Sequence, residues 1–92
     1  MITNVRVSTS AEKDLAKLPR HIVVNFRNWV RSVRLEGLDN VRLIKGYHDE
    51  PLKGKRAGQR SIRLSRSYRA IYVIRNEEIE LAVVEEVNKH EY

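Results

Sequence analysis

Apolar and polar residues alternate from Ile2 to Ser8, with Val5 and Val7 set against Asn4, Arg6 and Ser8, the period-two pattern of a half-buried strand. The period then becomes helical. Ala11, Leu15 and Leu18 share one face, Thr9 and Glu12 predict a capping-box start, and Pro19 ends a helix of about two and a half turns. From Arg20 to Glu36 the apolar positions Ile22, Phe26, Trp29, Val30 and Val33 recur at helical spacing, and Gly37 supplies the stop. The segment 38–58 holds Gly46, Pro51, Gly54 and Gly58 among polar residues, so it reads as a long connection with a short extended piece around Val41 to Ile44. Three strands follow: Gln59 to Leu64, Tyr68 to Arg75 and Glu78 to Val87. Ser65-Arg66-Ser67 links the first two, and Asn76-Glu77 turns the last two into a hairpin. The last strand is apolar on both alternating sets, Ile79, Leu81, Val83 and Val87 against Ala82 and Val84, which predicts burial on both faces and neighbours on both sides. The order β-α-α-β-β-β predicts a small α+β domain over residues 1–92, its antiparallel sheet packed against two N-terminal helices.

Charge changes this picture locally. Lys53, Lys55, Arg56, Arg60, Arg63, Arg66 and Arg69 fall within a stretch that contains no Asp or Glu. Without those seven charges the formal net charge of +6 would become −1, so the basic character is concentrated there. A focused field of one sign points to a polyanionic partner, most simply nucleic acid. Arg27, Arg31 and Arg34 form a second basic stripe on the long helix, a pattern more often an ordinary solvated face. With 41% hydrophobic and 33% charged residues the chain is too apolar for disorder, and no apolar run approaches the roughly 20 residues of a membrane span. A basic n-region with an apolar h-region is missing at the N-terminus, and there is no cysteine, which together lead to the expectation of a cytoplasmic protein. His21, His48 and His90 are widely separated and lie in no metal-ligand spacing, so neither a metal nor a cofactor is expected.

Several short pieces occur in a fixed order: Ser10-Ala11-Glu12-Lys13-Asp14-Leu15 with Leu18-Pro19, then Pro51-Leu52-Lys53-Gly54, Arg63-Leu64, Tyr68-Arg69-Ala70-Ile71-Tyr72 and a His90-Glu91-Tyr92 end. In that order and spacing the chain resembles the RelE/ParE superfamily of type II toxin–antitoxin toxins along its whole length. Arg56 to Arg63 is most similar to the HigB branch of ribosome-dependent mRNA interferases. The resemblance implies a small toxin that enters the 30S A site, cuts mRNA there and is silenced by a cognate antitoxin. It also implies functional roles for the terminal His90 and Tyr92. His48 lies near a position where some HigB-like relatives carry a histidine, offset here by Asp49-Glu50, and is a further possible site residue.

Cleaving RNA without a metal needs a proton acceptor, a proton donor and fixed positive charge for the phosphorane-like transition state. Arg63 and Arg69 supply guanidinium forks that match phosphate oxygens. Lys53, Lys55, Arg56, Arg60 and Arg66 are the expected RNA-binding charges, with Gly54 allowing close backbone approach. His90 is the candidate for proton transfer, supported by Tyr92. Convergence depends on register: a three-residue loop at 65–67 sets Arg63 opposite Arg69 on one face, whereas a four-residue loop turns Arg69 away. Two other functions fit the same pattern, a ParE-like toxin that inhibits DNA gyrase without cleaving RNA and an RNA-binding module without catalysis.

Overall fold

The computed structural model of the chain describes residues 1–87. In chain order it contains β1 (Val5–Val7), α1 (Thr9–Ala16), α2 (Arg20–Glu36), α3 (Leu38–Val41), β2 (Glu50–Pro51), β3 (Arg60–Arg63), β4 (Tyr68–Arg75) and β5 (Glu78–Glu86). Short 3₁₀ turns at Lys45–Tyr47 and Gly54–Arg56 flank β2. The five strands form one sheet in the order β1-β5-β4-β3-β2. This is the expected small α+β arrangement with one correction: β1 runs parallel to β5, so the sheet is mixed. Alternation in β1 reports which face is buried and carries no information on pairing direction. Once β4 occupies one side of β5, β1 is the strand that fills the other, and two helices carry the chain back across the sheet.

Two further expectations change. The N-cap of α1 is Ser8, not Thr9, because the Ser8 hydroxyl has two partners: it accepts from the Ala11 amide at 3.0 Å and donates to the Ala82 carbonyl at 3.0 Å. Beyond the end of β1, the Val84 amide of β5 lacks a strand neighbour on that side and donates to Asp14 Oδ2 at 3.0 Å, so α1 completes the sheet edge. The piece near Val41 is helical rather than extended, since Leu38 and Val41 both turn into the core at one-turn spacing.

On one face of the sheet, Ile22, Phe26, Trp29 and Val33 of α2 bury against Ile62, Leu64, Ala70, Tyr72, Ile79, Leu81 and Val84. Trp29 is central, its ring centroid 5.5 Å from that of Tyr72 and 6.2 Å from that of Phe26. The β4–β5 turn places Asn76 and Glu77 at φ of 51° and 61°, the left-handed pair that suits the twist of a two-residue hairpin. Gly37 joins α2 to α3 at φ 83° and ψ 151°, and the Leu38 amide that follows donates to the Ile2 carbonyl at 2.9 Å. That conformation is nearly confined to glycine.

Gly37→Ala is therefore expected to lower stability by about 1–3 kcal/mol in chemical denaturation. A Cβ there would also meet the Met1 side chain at 2.7 Å, but that chain end can move. Met1→Ala should accordingly fail to rescue the variant, and full rescue would mean that crowding, not the backbone, sets the cost.

Candidate functional site

The strand register decides where the cationic side chains point. Arg63 lies directly opposite Arg69, and the Leu64 amide donates to the Tyr68 carbonyl at 2.9 Å, so the connection is the three-residue loop Ser65-Arg66-Ser67. Ser65 Oγ accepts from the Ser67 amide at 3.1 Å and holds this turn. Arg63 and Arg69 thus share the face of the sheet opposite the helices. Glu85 of β5 is the next residue across from Arg69. Its carboxylate accepts from Arg69 Nη2 at 3.1 Å and from Arg56 Nη1 at 2.7 Å, which draws the Gly54–Arg56 turn across the sheet. Burial alone would raise the Glu85 pKa, but hydrogen bonds and charge from Arg56 and Arg69 outweigh it and hold the carboxyl below its usual range. By linkage, this interaction stabilises the fold above the ordinary glutamate pKa and is lost as pH falls through the lowered one.

A cleft of about 160 Å³ opens beside this cluster, its wall including His48, Glu50, Ser61, Arg63, Arg66 and Arg69. Val87 also lines it. His48 ends the Lys45–Tyr47 turn with φ 48° and ψ 49°, a left-handed kink that brings its Nε2 to 3.5 Å from Glu50 Oε2. Both side chains stay about half exposed. Glu50 pairs with Ser61 of β3. The two-residue β2 is therefore what sets a carboxylate beside the arginines. Among the described residues Arg63 has no ion pair, and the Nε of Arg69 is buried without a partner. Lys53, Lys55 and Arg66 are exposed. Candidates His90 and Tyr92 lie outside the described residues.

Arg60 is not part of this assembly. Strand alternation turns it to the helix side, where its Nε donates to Asp49 Oδ1 at 2.7 Å, and the Tyr72 hydroxyl donates to Asp49 Oδ2 at 2.6 Å. The Asp49 side chain is 1% exposed. Burial by itself would lower the Arg60 pKa, yet the bond and charge of Asp49 raise it. Burial first, and the bond to Asp49 second, push the Tyr72 phenol up to about 12, with Arg42 pulling the other way. Sequence reasoning missed Glu50, Glu85 and Asp49. Glu85 was hidden because the Asn76-Glu77 hairpin in plain register sets Arg69 opposite Val84, and only the bulge between Ile71 and Tyr72 moves the partner to Glu85, whereas the two-residue β2 has no periodicity to announce Glu50. Among the described residues no group of His, Asp and Glu is arranged to hold a metal ion, and no helix is long and apolar enough to cross a membrane.

The family model described as "ParE toxin of type II toxin–antitoxin system" matches residues 5–90. No curated protein sequence matches the chain. Among solved structures, the chain is similar to one in the RelBE2 toxin–antitoxin complex from Mycobacterium tuberculosis, at 27% identity and a TM-score of 0.65 over 95% of this chain and 100% of that one. It is also similar to one in the archaeal RelE–RelB complex from Pyrococcus horikoshii OT3, at 18% identity and a TM-score of 0.73 over 97% and 99%. A third is the YoeB dimer from Staphylococcus aureus, at 20% identity and a TM-score of 0.70 over 96% and 100%. The likeness holds at the level of RelE and ParE toxins and does not single out the HigB branch.

The buried phenol makes a pH test available. Because the folded-state pKa of Tyr72 stands above the ordinary value of 10.0, its contribution to stability is complete below about pH 10 and is lost as pH rises through about 12. In Tyr72→Phe the phenolate absorbance step near pH 12 should vanish. Its stability at neutral pH should fall by about 1–3 kcal/mol, since Asp49 loses a donor in a buried site. An unchanged alkaline titration would show that Tyr72 is not the group held protonated.

Proposed function

The chain belongs to the ParE toxin family of type II toxin–antitoxin systems, within the RelE/ParE superfamily, and within that superfamily we propose that it is a ribosome-dependent endoribonuclease that cleaves mRNA in the A site. The observation that carries this reading is the cleft itself, where three arginines, a carboxylate and an imidazole converge on one small volume. A gyrase-binding surface has no need of a proton acceptor set among three guanidiniums.

In the proposed reaction a phosphodiester of the message lies against Arg63 and Arg69, with Arg66 at the rim. Glu50 takes the proton from the ribose 2′-hydroxyl as that oxygen attacks the adjacent phosphorus. The bond from phosphorus to the 5′-oxygen breaks, leaving a 2′,3′-cyclic phosphate on one fragment, and the departing 5′-oxygen takes up a proton. His90 is the proposed donor, with Tyr92 supporting it and His48 as the second imidazole available. Val87, which lines the cleft, precedes His90 by three residues. The arginines stabilise charge that develops on the non-bridging oxygens, the kind of contribution worth most when donors are fixed beforehand. Glu85 fixes Arg69 and Arg56 before substrate arrives. Lys53 and Lys55 extend the positive field along the phosphate backbone. A domain this small borrows the placement of its substrate from the ribosome, which supplies orientation that the cleft alone lacks. The proposed protein partner is a cognate antitoxin, in keeping with the toxin–antitoxin complexes among the similar structures.

Arg63→Ala and Arg69→Ala should each lower single-turnover cleavage on translating ribosomes by on the order of 10²-fold or more. Glu50→Gln and His90→Ala should each cost roughly 10²- to 10⁴-fold, with much smaller changes in ribosome binding. Toxicity that survives all four changes, or gyrase inhibition with the message left intact, would overturn the reading.

A further inference from the structure

Among the described residues the outer edge of β3 has no strand partner beyond Ser61, because β2 pairs only with Arg60 and Ser61. The Lys45–Tyr47 turn stands beside that edge. A second pocket, of about 370 Å³, lies there, lined by Asn25 and Asn28 of α2, Ile44 and Tyr47 of the turn, and Arg63 and Leu64 at the end of β3. Arg63 lines this pocket and the catalytic cleft alike. The first space, at about 160 Å³, is too small to take a nucleotide whole, since pockets for ligands of that class run to roughly 300–1,000 Å³. The second falls in that range. A ligand whose phosphate sits at Arg63 thus has its sugar and base directed to one side or the other of a single side chain.

The pocket's chemistry is that of a planar heterocycle with polar edges. Tyr47 is half-buried against the core, so its ring is held in place beside the opening. Asn25 Nδ2 donates to the Leu64 carbonyl at 2.8 Å. A carbonyl can only accept, so this bond fixes which way the amide faces and leaves Oδ1 as an oriented acceptor. Among the described residues no donor reaches that oxygen, and it is not buried. Asn28 follows three residues along α2, on the same side of the helix, with an exposed carboxamide free to turn.

We propose that this pocket is a nucleobase subsite, taking the base of the nucleotide whose phosphate contacts Arg63 and favouring bases with an exocyclic amine over uracil. The proposal rests on the RNA-cleaving reading above. Tyr47 supplies the stacking surface, Asn25 Oδ1 accepts from the amine, and Asn28 adjusts to the rest of the edge. Where adenine and cytosine carry their amine uracil presents a carbonyl oxygen, which cannot donate to Asn25 Oδ1, so only its N3–H remains to do so and binding is weakened rather than abolished.

Binding can be measured apart from cleavage with RNA trinucleotides made uncleavable by a 2′-O-methyl group, titrated into the purified protein and followed by NMR. One position carries adenine, cytosine, guanine, uracil or no base. The abasic trimer should bind roughly 10-fold or more weakly than the adenine trimer, the range that stacking on one aromatic ring supplies. The uracil trimer should fall between them, and the side-chain amides of Asn25 and Asn28 should shift with adenine. Asn28→Ala and Tyr47→Ala should each shrink the difference between base and no base, while Tyr47→Trp should keep it. Equal binding of abasic and adenine trimers, or no binding of any, overturns the subsite. So does a base preference untouched in both Asn28→Ala and a folded Tyr47→Ala. If base-dependent binding holds but translated message stays intact, the subsite stands and the nuclease reading falls. If message is cut with the same base distribution by wild type and both variants, the reverse is true.

Discussion

Asp49 is the constraint on which the functional half of the domain depends. Its carboxylate is almost wholly buried, and a charge there is tolerable because Arg60 and Tyr72 both donate to it. Removing the charged partner from a buried ion pair such as Arg60–Asp49 typically costs about 3–5 kcal/mol, far more than the pair adds over an apolar substitute. Its value is geometric. Asp49 sits between His48 and Glu50, in a segment with a two-residue strand and two short turns as its only regular structure. Tying that residue to β3 and β4 is what keeps the flanking imidazole and carboxylate at the mouth of the cleft, where a loop of this length would otherwise sample many positions.

The same logic explains why the basic window does not repel itself apart. Alternation along β3 divides it, sending Arg60 to the helix side and Arg63 to the other, and each face then receives its own acid. Glu85 neutralises part of the charge on Arg56 and Arg69 while leaving Arg63 unpaired among the described residues. The resulting field is uneven. The charges without an ion pair among the described residues, Lys53, Lys55, Arg63 and Arg66, are exposed and so carry the long-range, salt-sensitive part of any attraction for a polyanion. The paired ones act at contact distance.

Elements with enough residues to show a period were legible in the sequence. The helix at Arg20–Glu36 and the strand at Tyr68–Arg75 have the expected bounds, and Asn76-Glu77 makes the expected turn. The pairing of Arg63 with Arg69 was open between two loop lengths, because a side-chain hydrogen bond inside Ser65-Arg66-Ser67 settles it and composition does not. What escaped was non-local. The parallel partner of β5, the helical turn at Leu38–Val41 and the burial of Asp49 all depend on residues distant in the chain. Glu50 looked like half of an acidic pair in a loop, and its importance comes from the neighbour that is buried.

Arg63 is where these strands of reasoning meet. Arg56 and Arg69 share Glu85 and Arg60 is paired with Asp49, so an incoming anion must compete for these arginines. Arg63 has no acid partner among the described residues, and it stands at the corner between a small polar cleft and a larger pocket flanked by an aromatic ring and two carboxamides. An exposed guanidinium without an ion pair among the described residues can take an incoming anion in exchange for water alone, and its planar fork donates to phosphate oxygens in a fixed orientation. Binding there would therefore set both the position of the phosphate and the direction in which its base departs. Chemistry in one space and recognition in the other would then be coupled through a single side chain, which is a stricter geometric demand than positive charge alone would impose.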